Sequence, residues 1–477
     1  MVRRCVWRKR RGPFRLISEA MTTRTSFDGA EPAEHANLSA NEAAIRVLGP
    51  CRFSSPVADR LGESATNFVG RSDKVLLDDR LSSLESRLSG AGSGDLHLPA
   101  LELAGPRNRI FFDPGTLRCA IVTCGGLCPG INNVVRGLVY ELTYGYGAKT
   151  VLGFRYGYQG LVDERHPPML LEPDIVKDIH LQGGTVLGTS RGSQSPSAMV
   201  DTLVRLGINA LFVVGGDGTI RGAMKLVEGI SRRGLAISVI GIPKTIDNDI
   251  HFTDRSFGFE SAYSEAVDVI RSAHTEATGA FNGVGLVKLM GRHAGFVAAH
   301  AALASADANV VLVPEIPVHL NGPKGLLHFL EQRLAARRHA VVVVAEGAGQ
   351  DLLAGDSTGT DASGNARLRD IGTFLKHAIE EHFRAQKTEL TLKYLDPSYH
   401  IRSVPASASD SVYCWRMARH AVHAAMAGNT EMIIGRWHGR FVHVPMALAT
   451  RTQKQVDPLD DLWLSVIEAT GQPLTWT

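Results

Sequence analysis

Short apolar runs rich in valine and isoleucine recur along the chain from residue 118 onward, and longer segments with helical spacing separate them. The runs are 119–124, 210–215, 237–242, 283–289, 309–314 and 340–346. Buried strands that alternate with helices are typical of a mostly parallel sheet covered by helices on both faces. The pattern therefore predicts an α/β fold built on a doubly wound, mostly parallel sheet.

The N-terminal quarter of the chain follows a different pattern. Residues 1–50 lack a sustained apolar period and are expected to be mobile, whereas residues 51–117 predict a small, loop-rich region. Residues 76–88 within it predict a short amphipathic helix. Its apolar face would hold Leu77, Leu81, Leu84 and Leu88. The glycine, aspartate, serine and threonine residues of 351–370 indicate a mobile loop.

Composition and charge narrow the class of protein. Lysine and arginine number 51 and aspartate and glutamate 48, so the net charge is only +3. A strongly basic nucleic-acid-binding protein would carry a larger excess, so no nucleic-acid partner is expected. No apolar run reaches the ~18–20 residues that cross a bilayer, so no membrane partner is expected. The six cysteines show neither zinc-ribbon nor dense disulfide spacing, which favours a cytoplasmic protein with reduced thiols.

The first 18 residues hold seven basic residues and no acidic one. An arginine-rich, acid-poor segment fits a transit peptide. It also fits a start codon assigned too early, with Met21 as the true beginning. Both alternatives stay open at this point.

Unusual motifs follow five of the apolar runs. CAIVTC leads into GGLCPG, ALFVV into GGDGT, ISVIGI into PKTIDND, GVGLVKL into MGR and AVVVVA into EG. In open α/β sheets, ligands bind outside the carboxyl ends of the strands. The five motifs are therefore expected to share one composite site.

Two of these motifs predict phosphate binding. Gly125 and Gly126 follow the first strand and open a helix near Ile131, where backbone N–H groups can face a phosphate. A tight strand–helix turn alone would need the same glycines. The Gly-Gly-Asp-Gly-Thr motif at 215–219 is more specific, because a carboxylate flanked by glycines can hold Mg²⁺ while the backbone approaches a triphosphate.

Two carboxylates, Asp247 and Asp249, stand two residues apart, and Thr245 stands two residues before the first. Acidic groups that converge on Mg²⁺ and phosphate can divide the work: one acts as base toward an incoming hydroxyl and the other supports the metal. An Asx-rich capping turn is the alternative interpretation. Arg191 and Arg292 follow glycine-containing turns, where a guanidinium could bind phosphate oxygens in a bidentate manner.

Five segments resemble the 6-phosphofructokinase family in order and rough spacing: TCGGLCPGINNVVRGLV, VVGGDGTIRGA, GIPKTIDNDI, LVKLMGRHAGF and SYHIR. The likeness covers about residues 118–450 and is greatest to the longer ATP-dependent branch of plants and kinetoplastid protists, which carries an extra N-terminal region. The resemblance implies transfer of the γ-phosphoryl group of ATP to the 1-hydroxyl of fructose 6-phosphate, a step of glycolysis. It also implies Mg²⁺ as cofactor and an allosteric homo-oligomer, either a dimer or a tetramer.

The resemblance implies a role for each matching position. The residues around ATP would be Gly125, Tyr158, Arg191, Gly192, Gly216, Asp217, Gly218 and Thr219. Those around the sugar phosphate would be Thr245, Asp247, Met290, Gly291, Arg292, Glu346, Lys393, Tyr399 and Arg402, and the last three would hold its 6-phosphate. The catalytic residues would be Asp247 as the base, Arg292 as the group that stabilises the transferring phosphoryl, and Thr245. Asp217 and Asp249 would hold Mg²⁺.

The family's fold implies two doubly wound, Rossmann-like domains. The nucleotide-binding domain should be discontinuous, because the C-terminal part of the chain returns to it. The nucleotide-binding domain would comprise 118–258 plus 402–455, and the sugar-phosphate-binding domain 259–401 plus 456–477. The sequence departs from the short bacterial pattern in two places. Asn282 and Gly283 stand where that pattern has a basic residue donated by a neighbouring subunit, and Tyr399 and Ile401 replace the usual histidine and glutamine near the 6-phosphate. Phosphate binding across a subunit interface therefore stays open, and so does the identity of the effectors.

The choice of phosphoryl donor depends on Gly218 and Lys244. Pyrophosphate users resemble GGDD with PKT and short ATP users resemble GGDG with PGT, and this chain has one residue from each pair. A glycine at 218 leaves room for the α-phosphate of ATP, where a carboxylate would bring negative charge. ATP is therefore the expected donor, with a pyrophosphate-dependent phosphofructokinase as the alternative.

Two other classes of protein compete with this interpretation. A regulatory pseudoenzyme would keep the sugar pocket without the chemistry, but the intact Asp217, Asp247 and Asp249 argue against it. A lipid or NAD kinase would share GGDGT, but PKTIDND and MGR argue against that class.

Overall fold

The computed structural model describes residues 38–39, 41–62, 68–90, 98–353, 359 and 367–476. The chain divides into two compact units, the first formed by Met1–Ser39 with Asp78–Pro99 and the second by Ala40–Leu77 with Ala100–Thr477. The strands described below all belong to the second unit. Among the described residues, no helix is long and apolar enough to span a bilayer.

The strands supply the framework of the second unit. In chain order they are β1 Arg46–Val47, β2 Phe53–Ser54, β3 Lys74–Leu76, β4 Ala100–Leu103, β5 Arg109–Ile110, β6 Arg118–Thr123, β7 Thr150–Phe154, β8 Met169–Leu170, β9 Ala210–Gly215, β10 Ser238–Pro243, β11 Gly283–Leu289, β12 Val310–Leu312, β13 His339–Ala345, β14 Thr391–Leu395, β15 Asn429–Thr430, β16 Met432–Trp437 and β17 Arg440–Pro445.

Two sheets dominate. The larger has the order β3-β4-β17-β16-β10-β9-β6-β7-β8, and its central strands from β16 to β7 run parallel to one another. The smaller has the order β12-β13-β11-β14 and is parallel throughout. Two short antiparallel pairs, β1 with β15 and β2 with β5, lie apart from these sheets. The predicted α/β class with a mostly parallel sheet is confirmed.

Helices follow most of the parallel strands, as the spacing predicts. They are α1 Pro56–Leu61, α2 Leu81–Gly90, α3 Ile131–Tyr140, α4 Pro173–Val176, α5 Pro196–Arg205, α6 Asp217–Arg232, α7 Phe259–Gly279, α8 Phe296–Ser305, α9 Leu326–Arg337, α10 Ile371–Ala385, α11 Ala408–Met426, α12 Met446–Ala449 and α13 Asp461–Thr470. Single 3₁₀ turns occur at Pro114–Thr116, Gly157–Leu161, Ile179–Leu181 and Gln350–Leu352, and a π-helical turn at Glu141–Gly145 continues α3.

The central strands are buried on both faces, which explains why they read as unbroken apolar runs. Every residue of β9 and of β10 is buried. In β11 only Lys288 is partly exposed. Because the interior of each sheet is filled in this way, only the loops at the strand ends are left to bind ligands.

The helix predicted over 76–88 is wrong at its N-terminal end. Leu76 ends β3, and α2 begins only at Leu81. Between them the Asp78 carboxylate accepts a hydrogen bond from the backbone N–H of Arg80 at 3.0 Å. Such an Asx turn offers the backbone an alternative to the helix. Leu81, assigned to an apolar face by its spacing, is 69% exposed.

Other predictions about the chain's organisation concern residues beyond this description. Most of the segment predicted to be mobile, 1–50, lies outside the described residues, although β1 falls within its last part. Of the predicted loop at 351–370, residues 354–358 and 360–366 also lie outside them. The boundaries of the two Rossmann-like domains stay predictions.

Candidate active site

The loops that carry the five motifs begin at the carboxyl ends of neighbouring strands. The ends of β6, β9 and β10 are in register in the larger sheet, and those of β11 and β13 are in register in the smaller. These loops are the glycine loop, 124–130; the GGDGT motif, 215–219; the acidic loop, 244–258; the arginine loop, 290–295; and the EG loop, 346–349.

The acidic loop is held by hydrogen bonds among its own residues. The Thr245 hydroxyl donates to Oδ1 of Asp249 at 2.8 Å and accepts from the backbone N–H of Asp247 at 3.1 Å. Asn248 adopts the left-handed conformation, with φ of 57°, and its Oδ1 accepts from the backbone N–H of Ser256 at 2.9 Å. The two carboxylates therefore have fixed positions, and the hydroxyl predicted to be catalytic bonds directly to one of them.

Asp247 lies where the acidic loop meets the arginine loop. Its Oδ2 atom is 3.5 Å from the backbone nitrogen of Arg292. Its Oδ1 atom is buried and has no hydrogen-bond partner among the described residues. Burial, together with the charges of Asp249 and Glu346, raises the pKa of Asp247 to about 8. A carboxylate in this setting binds a proton strongly, as a general base must.

Three cationic side chains lie around Gly126 of the glycine loop. The Lys244 ammonium donates to the Gly126 carbonyl at 2.6 Å. A side-chain carbon at position 126 would lie 3.2 Å from Nη1 of Arg402 and 3.7 Å from Nη2 of Arg191. Burial lowers the pKa of Lys244, and the charges of Arg402 and Arg191 lower it as well. Cations that repel one another in this way form a site for an anion such as phosphate.

Gly125 serves the glycine loop through its conformation. Its φ is 83°, a value that favours glycine, and its backbone N–H donates to the Ser190 carbonyl at 3.1 Å. Its own carbonyl accepts from the Thr189 hydroxyl at 2.5 Å. These bonds hold the glycine loop against the segment that carries Arg191 and Gly192, both of which are exposed.

Asp217 and Asp249 are near enough to influence each other. Asp217 is the first residue of α6, and its Oδ2 accepts from Nε of Arg221 at 3.0 Å. Burial raises the pKa of Asp249, and the charge of Asp217 adds to the rise. The described residues contain no group of three or more histidine, cysteine or acidic side chains that could hold a metal. Mg²⁺ in nucleotide sites is bound by one or two carboxylates plus phosphates, so this pair fits that metal.

Gly218 and Tyr158 occupy different positions relative to the first turn of α6. A side-chain carbon at Gly218 would have no atom from outside its own helical turn within 4 Å, so this position faces open space. Tyr158 is buried, and its hydroxyl donates to the Thr219 carbonyl at 2.8 Å. A side chain at Gly222 would come within 2.8 Å of the Tyr158 ring, so tyrosine and helix are in close contact. Tyr158 therefore packs against α6, the helix that begins within the GGDGT motif.

The arginine loop and the EG loop are joined through their backbones. The N–H of Gly347 donates to the Gly291 carbonyl at 3.0 Å, and a side chain at Gly347 would collide with the Arg292 carbonyl. Gly291 has φ of 132°, which a larger residue would adopt only with strain. Met290 packs partly buried against the core. Burial raises the pKa of Glu346, whereas the charge of Arg292 favours its ionised form.

The structure brings two of the three residues predicted at the sugar 6-phosphate together. The Arg402 guanidinium lies over the Tyr399 ring, 4.7 Å from its centroid, and Tyr399 is 76% exposed. Lys393 is exposed at the centre of β14, in register with Gly285. Gly285 precedes Leu289, the end of β11, by four residues, a distance of about 13 Å along the strand. Lys393 therefore lies apart from the other predicted site residues.

An ionic cluster around Lys288 of β11 did not emerge from the sequence. Nζ of Lys288 lies 2.8 Å from Oδ2 of Asp396 and 3.2 Å from Oδ1 of Asp370. The Tyr394 hydroxyl also donates to Asp370, at 3.3 Å. The Lys288 charge favours the ionised form of Glu346 as well. The signal available in the sequence was a single lysine in an otherwise apolar strand.

Comparison with known proteins agrees with this geometry. The family model described as Phosphofructokinase matches residues 118–425. The chain belongs to the phosphofructokinase family. An ATP-dependent 6-phosphofructokinase of Amycolatopsis methanolica is 51% identical over 444 residues, covering 91% of this chain and 96% of that protein. ATP-dependent 6-phosphofructokinase 7 of Arabidopsis thaliana is 48% identical, covering 78% of this chain and 76% of its own length.

A solved structure gives the same fold at lower sequence identity. The pyrophosphate-dependent phosphofructokinase of Marinobacter aquaeolei superimposes with a TM-score of 0.61 at 21% identity, over 75% of this chain and 91% of that one. The resemblance inferred from five motifs is thereby confirmed, as is its link to plant members of the family.

Proposed function

We propose that the chain is an ATP-dependent 6-phosphofructokinase. It transfers the γ-phosphoryl group of ATP to the 1-hydroxyl of fructose 6-phosphate and yields fructose 1,6-bisphosphate and ADP in glycolysis. The relatives that carry this name cover most of the chain and favour ATP over the pyrophosphate alternative.

One observation in the site carries the proposal. Asp247 is buried where the acidic loop meets the arginine loop, and one of its oxygens has no hydrogen-bond partner among the described residues. An unpartnered buried carboxylate oxygen is costly, so it is kept where a ligand can bond to it. A sugar hydroxyl bound there would donate its proton to Asp247 as its oxygen attacks the phosphoryl group.

The residues around Asp247 supply the rest of the chemistry. Lys244, Arg191 and Arg402 offer positive charge near the glycine loop, where phosphate oxygens would lie. Arg292 would stabilise the charge that develops on the phosphoryl group in transit, which is the main catalytic lever in phosphoryl transfer. Thr245 keeps Asp249 oriented through its 2.8 Å hydrogen bond.

Asp217 and Asp249 would hold Mg²⁺ together with the phosphates of ATP, and the metal would neutralise their charge. Asp217→Asn is therefore expected to raise the Mg²⁺ concentration that gives half-maximal rate by about 10-fold, because an amide is a poorer ligand than a carboxylate. A magnesium titration at saturating fructose 6-phosphate measures this. Glu228→Gln is the matched control, since Glu228 lies on the same helix and pairs with the exposed Arg232 at 3.8 Å. Equal magnesium dependence in both variants would remove Asp217 from the metal site.

Capture of the sugar phosphate is assigned to Arg402. Arg402→Ala is expected to raise KM for fructose 6-phosphate by at least ~10-fold, because a charge-assisted bond to phosphate is lost. KM for ATP should stay nearly the same. Initial-rate kinetics with each substrate varied in turn separate the two effects, and Arg233→Ala, which removes a surface arginine paired with Asp201, is the control. A larger effect on ATP would mean that the two halves of the site are assigned the wrong way round.

A coupled assay tests the function itself. Fructose 6-phosphate is offered with ATP and, separately, with pyrophosphate, and formation of fructose 1,6-bisphosphate is followed. Turnover with ATP is the expected result. Failure with both donors would favour a pseudoenzyme, and phosphorylation of a lipid or of NAD instead would contradict the substrate assignment.

The assembly, domains and location are part of the same proposal. We expect a cytoplasmic homo-oligomer, either dimer or tetramer, with the nucleotide-binding domain formed by 118–258 plus 402–455 and the sugar-phosphate-binding domain by 259–401 plus 456–477. Light scattering after size-exclusion chromatography gives the number of subunits.

A further inference from the structure

A short segment after the last strand contacts both the acidic loop and the arginine loop. This bridging segment is Gln453–Val456, which lies between α12 and α13. Its first half meets the acidic loop: Gln453 forms an antiparallel bridge with Ile250, and the backbone N–H of Lys454 donates to the Asp249 carbonyl at 2.9 Å. The residue proposed to hold the metal is therefore tied at its own backbone.

The second half of the bridging segment meets the arginine loop. Nε2 of Gln455 donates to the His293 carbonyl at 3.0 Å. The backbone N–H of Val456 donates to Oε1 of Glu315 at 2.8 Å, and the same oxygen accepts from the backbone N–H of Gly295 at 2.9 Å. Glu315 thus joins the bridging segment to the end of the arginine loop, where α8 begins.

The Lys454 side chain repeats this double contact. Its ammonium donates to the carbonyls of Thr253 and Asp254 in the acidic loop, at 3.0 and 2.8 Å. It also lies 4.9 Å from the ring centroid of Phe296, the first residue of α8. Burial lowers the pKa of Lys454 to about 8. A partly desolvated lysine that bonds to two carbonyls stabilises the loop conformation they belong to.

Burial of the Glu315 carboxylate carries a desolvation cost that packing alone does not explain. Glu315 lies beside the apolar core, burial raises its pKa, and its Oε2 has no hydrogen-bond partner among the described residues. A leucine of similar volume would fill such a place at lower cost in desolvation. A single carboxylate oxygen that accepts from Val456 and Gly295 instead fixes two separate stretches of backbone against each other.

We propose that the bridging segment, through Glu315 and Lys454, is a positioning element that sets the acidic loop against the arginine loop for phosphoryl transfer. Asp249 and Arg292 come from loops of different sheets, and phosphoryl transfer depends on their relative placement. Displacement of about 1 Å between such groups can lower the rate by about 100-fold without weakening substrate binding. The rate measurement rests on the proposed function, whereas the contacts do not.

The test compares Glu315→Leu with Glu315→Gln in the full chain. Glutamine keeps a carbonyl oxygen that can accept both N–H groups, and leucine keeps the volume but no acceptor. Glu315→Leu is expected to lower kcat by about 10- to 100-fold, with KM for ATP and fructose 6-phosphate within about threefold of wild type. Glu315→Gln should stay within about threefold in all three constants. A role in stability alone would lower Tm and leave kcat of the folded enzyme unchanged, and that result would overturn the proposal.

Amide hydrogen exchange keeps this test separate from the proposed function. Glu315→Leu is expected to speed exchange in both 244–258 and 290–295, and Glu315→Gln is not, whatever substrate the enzyme uses. Failure of the wild type to phosphorylate fructose 6-phosphate would count against the function, while unchanged exchange in either loop would count against the bridging segment. Should Glu315→Leu not fold, Lys454→Met takes its place, and unchanged kcat and exchange in that variant would overturn the proposal as well.

Discussion

Asp247→Asn is expected to lower kcat by roughly 10²- to 10⁴-fold with little change in KM for fructose 6-phosphate. Asparagine keeps the shape of the side chain and its acceptor toward the Arg292 N–H, but it cannot take a proton. Substrate binding should survive because the proposed phosphate site, at the cations around Gly126, does not involve Asp247. The loss should therefore be confined to the step in which the sugar hydroxyl is deprotonated.

The raised pKa of Asp247 is the reason for expecting a large fall in kcat. Burial and the neighbouring Asp249 and Glu346 make the Asp247 carboxylate a stronger base than an exposed aspartate. Its removal therefore costs more than the loss of an ordinary carboxylate would. Steady-state kinetics at saturating ATP measure the effect. Asp268→Asn, on the exposed pair with Arg271, serves as the control, and a kcat above half of wild type in Asp247→Asn would exclude Asp247 as the base.

The sequence predicted the strands of the fold closely because their burial leaves a continuous apolar signal. The predicted run 283–289 coincides with β11, and 210–215 coincides with β9. The ends were less certain where a flanking residue is polar or conformationally special, as for β12, which is limited to Val310–Leu312. The helix placed at 76–88 shows the opposite case, since leucine spacing cannot reveal an Asx turn at Asp78.

The candidate site was predictable in so far as its residues are neighbours in the sequence. Thr245, Asp247 and Asp249 lie in one loop, and the Thr245 hydroxyl bonds to both aspartates. The bridging segment was not predictable, because Lys454 meets Asp249 across about 200 residues of chain and no local pattern records such a contact. The same reason applies to Glu315, whose partners come from two distant segments.

Some of the residues assigned by resemblance alone lie at the candidate site, and at least one lies apart from it. Arg402 and Arg191 both lie beside Gly126, although the resemblance gives them to different substrates. A sugar phosphate and a nucleotide that exchange a phosphoryl group must meet, so cations between them can serve both. Lys393 lies at mid-strand, and its position carries no support for a role at the 6-phosphate in a single chain.

The sequence gives conflicting signals about the phosphoryl donor, because Gly218 is typical of ATP users and Lys244 of pyrophosphate users. In the structure these two residues have different surroundings. Gly218 stands in the first turn of α6, and a Cβ atom there would have no atom from another part of the chain within 4 Å. The Lys244 ammonium instead bonds to the Gly126 carbonyl at 2.6 Å, within the glycine loop. A residue at 218 can therefore act on a ligand without disturbing the fold, whereas Lys244 adds a cation that either donor would accept.

Gly218→Asp is accordingly expected to nearly abolish the use of ATP while Tm stays close to that of the wild type. The new carboxylate would lie in the open space assigned to the α-phosphate, next to Asp217, and its negative charge would repel the phosphate. In the wild type, pyrophosphate should be at least ~100-fold poorer than ATP in kcat/KM, a gap of about 2.7 kcal/mol. Parallel assays of both proteins with both donors measure these ratios. Comparable turnover of pyrophosphate by the wild type would mean that Lys244 sets the donor, and an active Gly218→Asp variant would mean that the α-phosphate lies elsewhere.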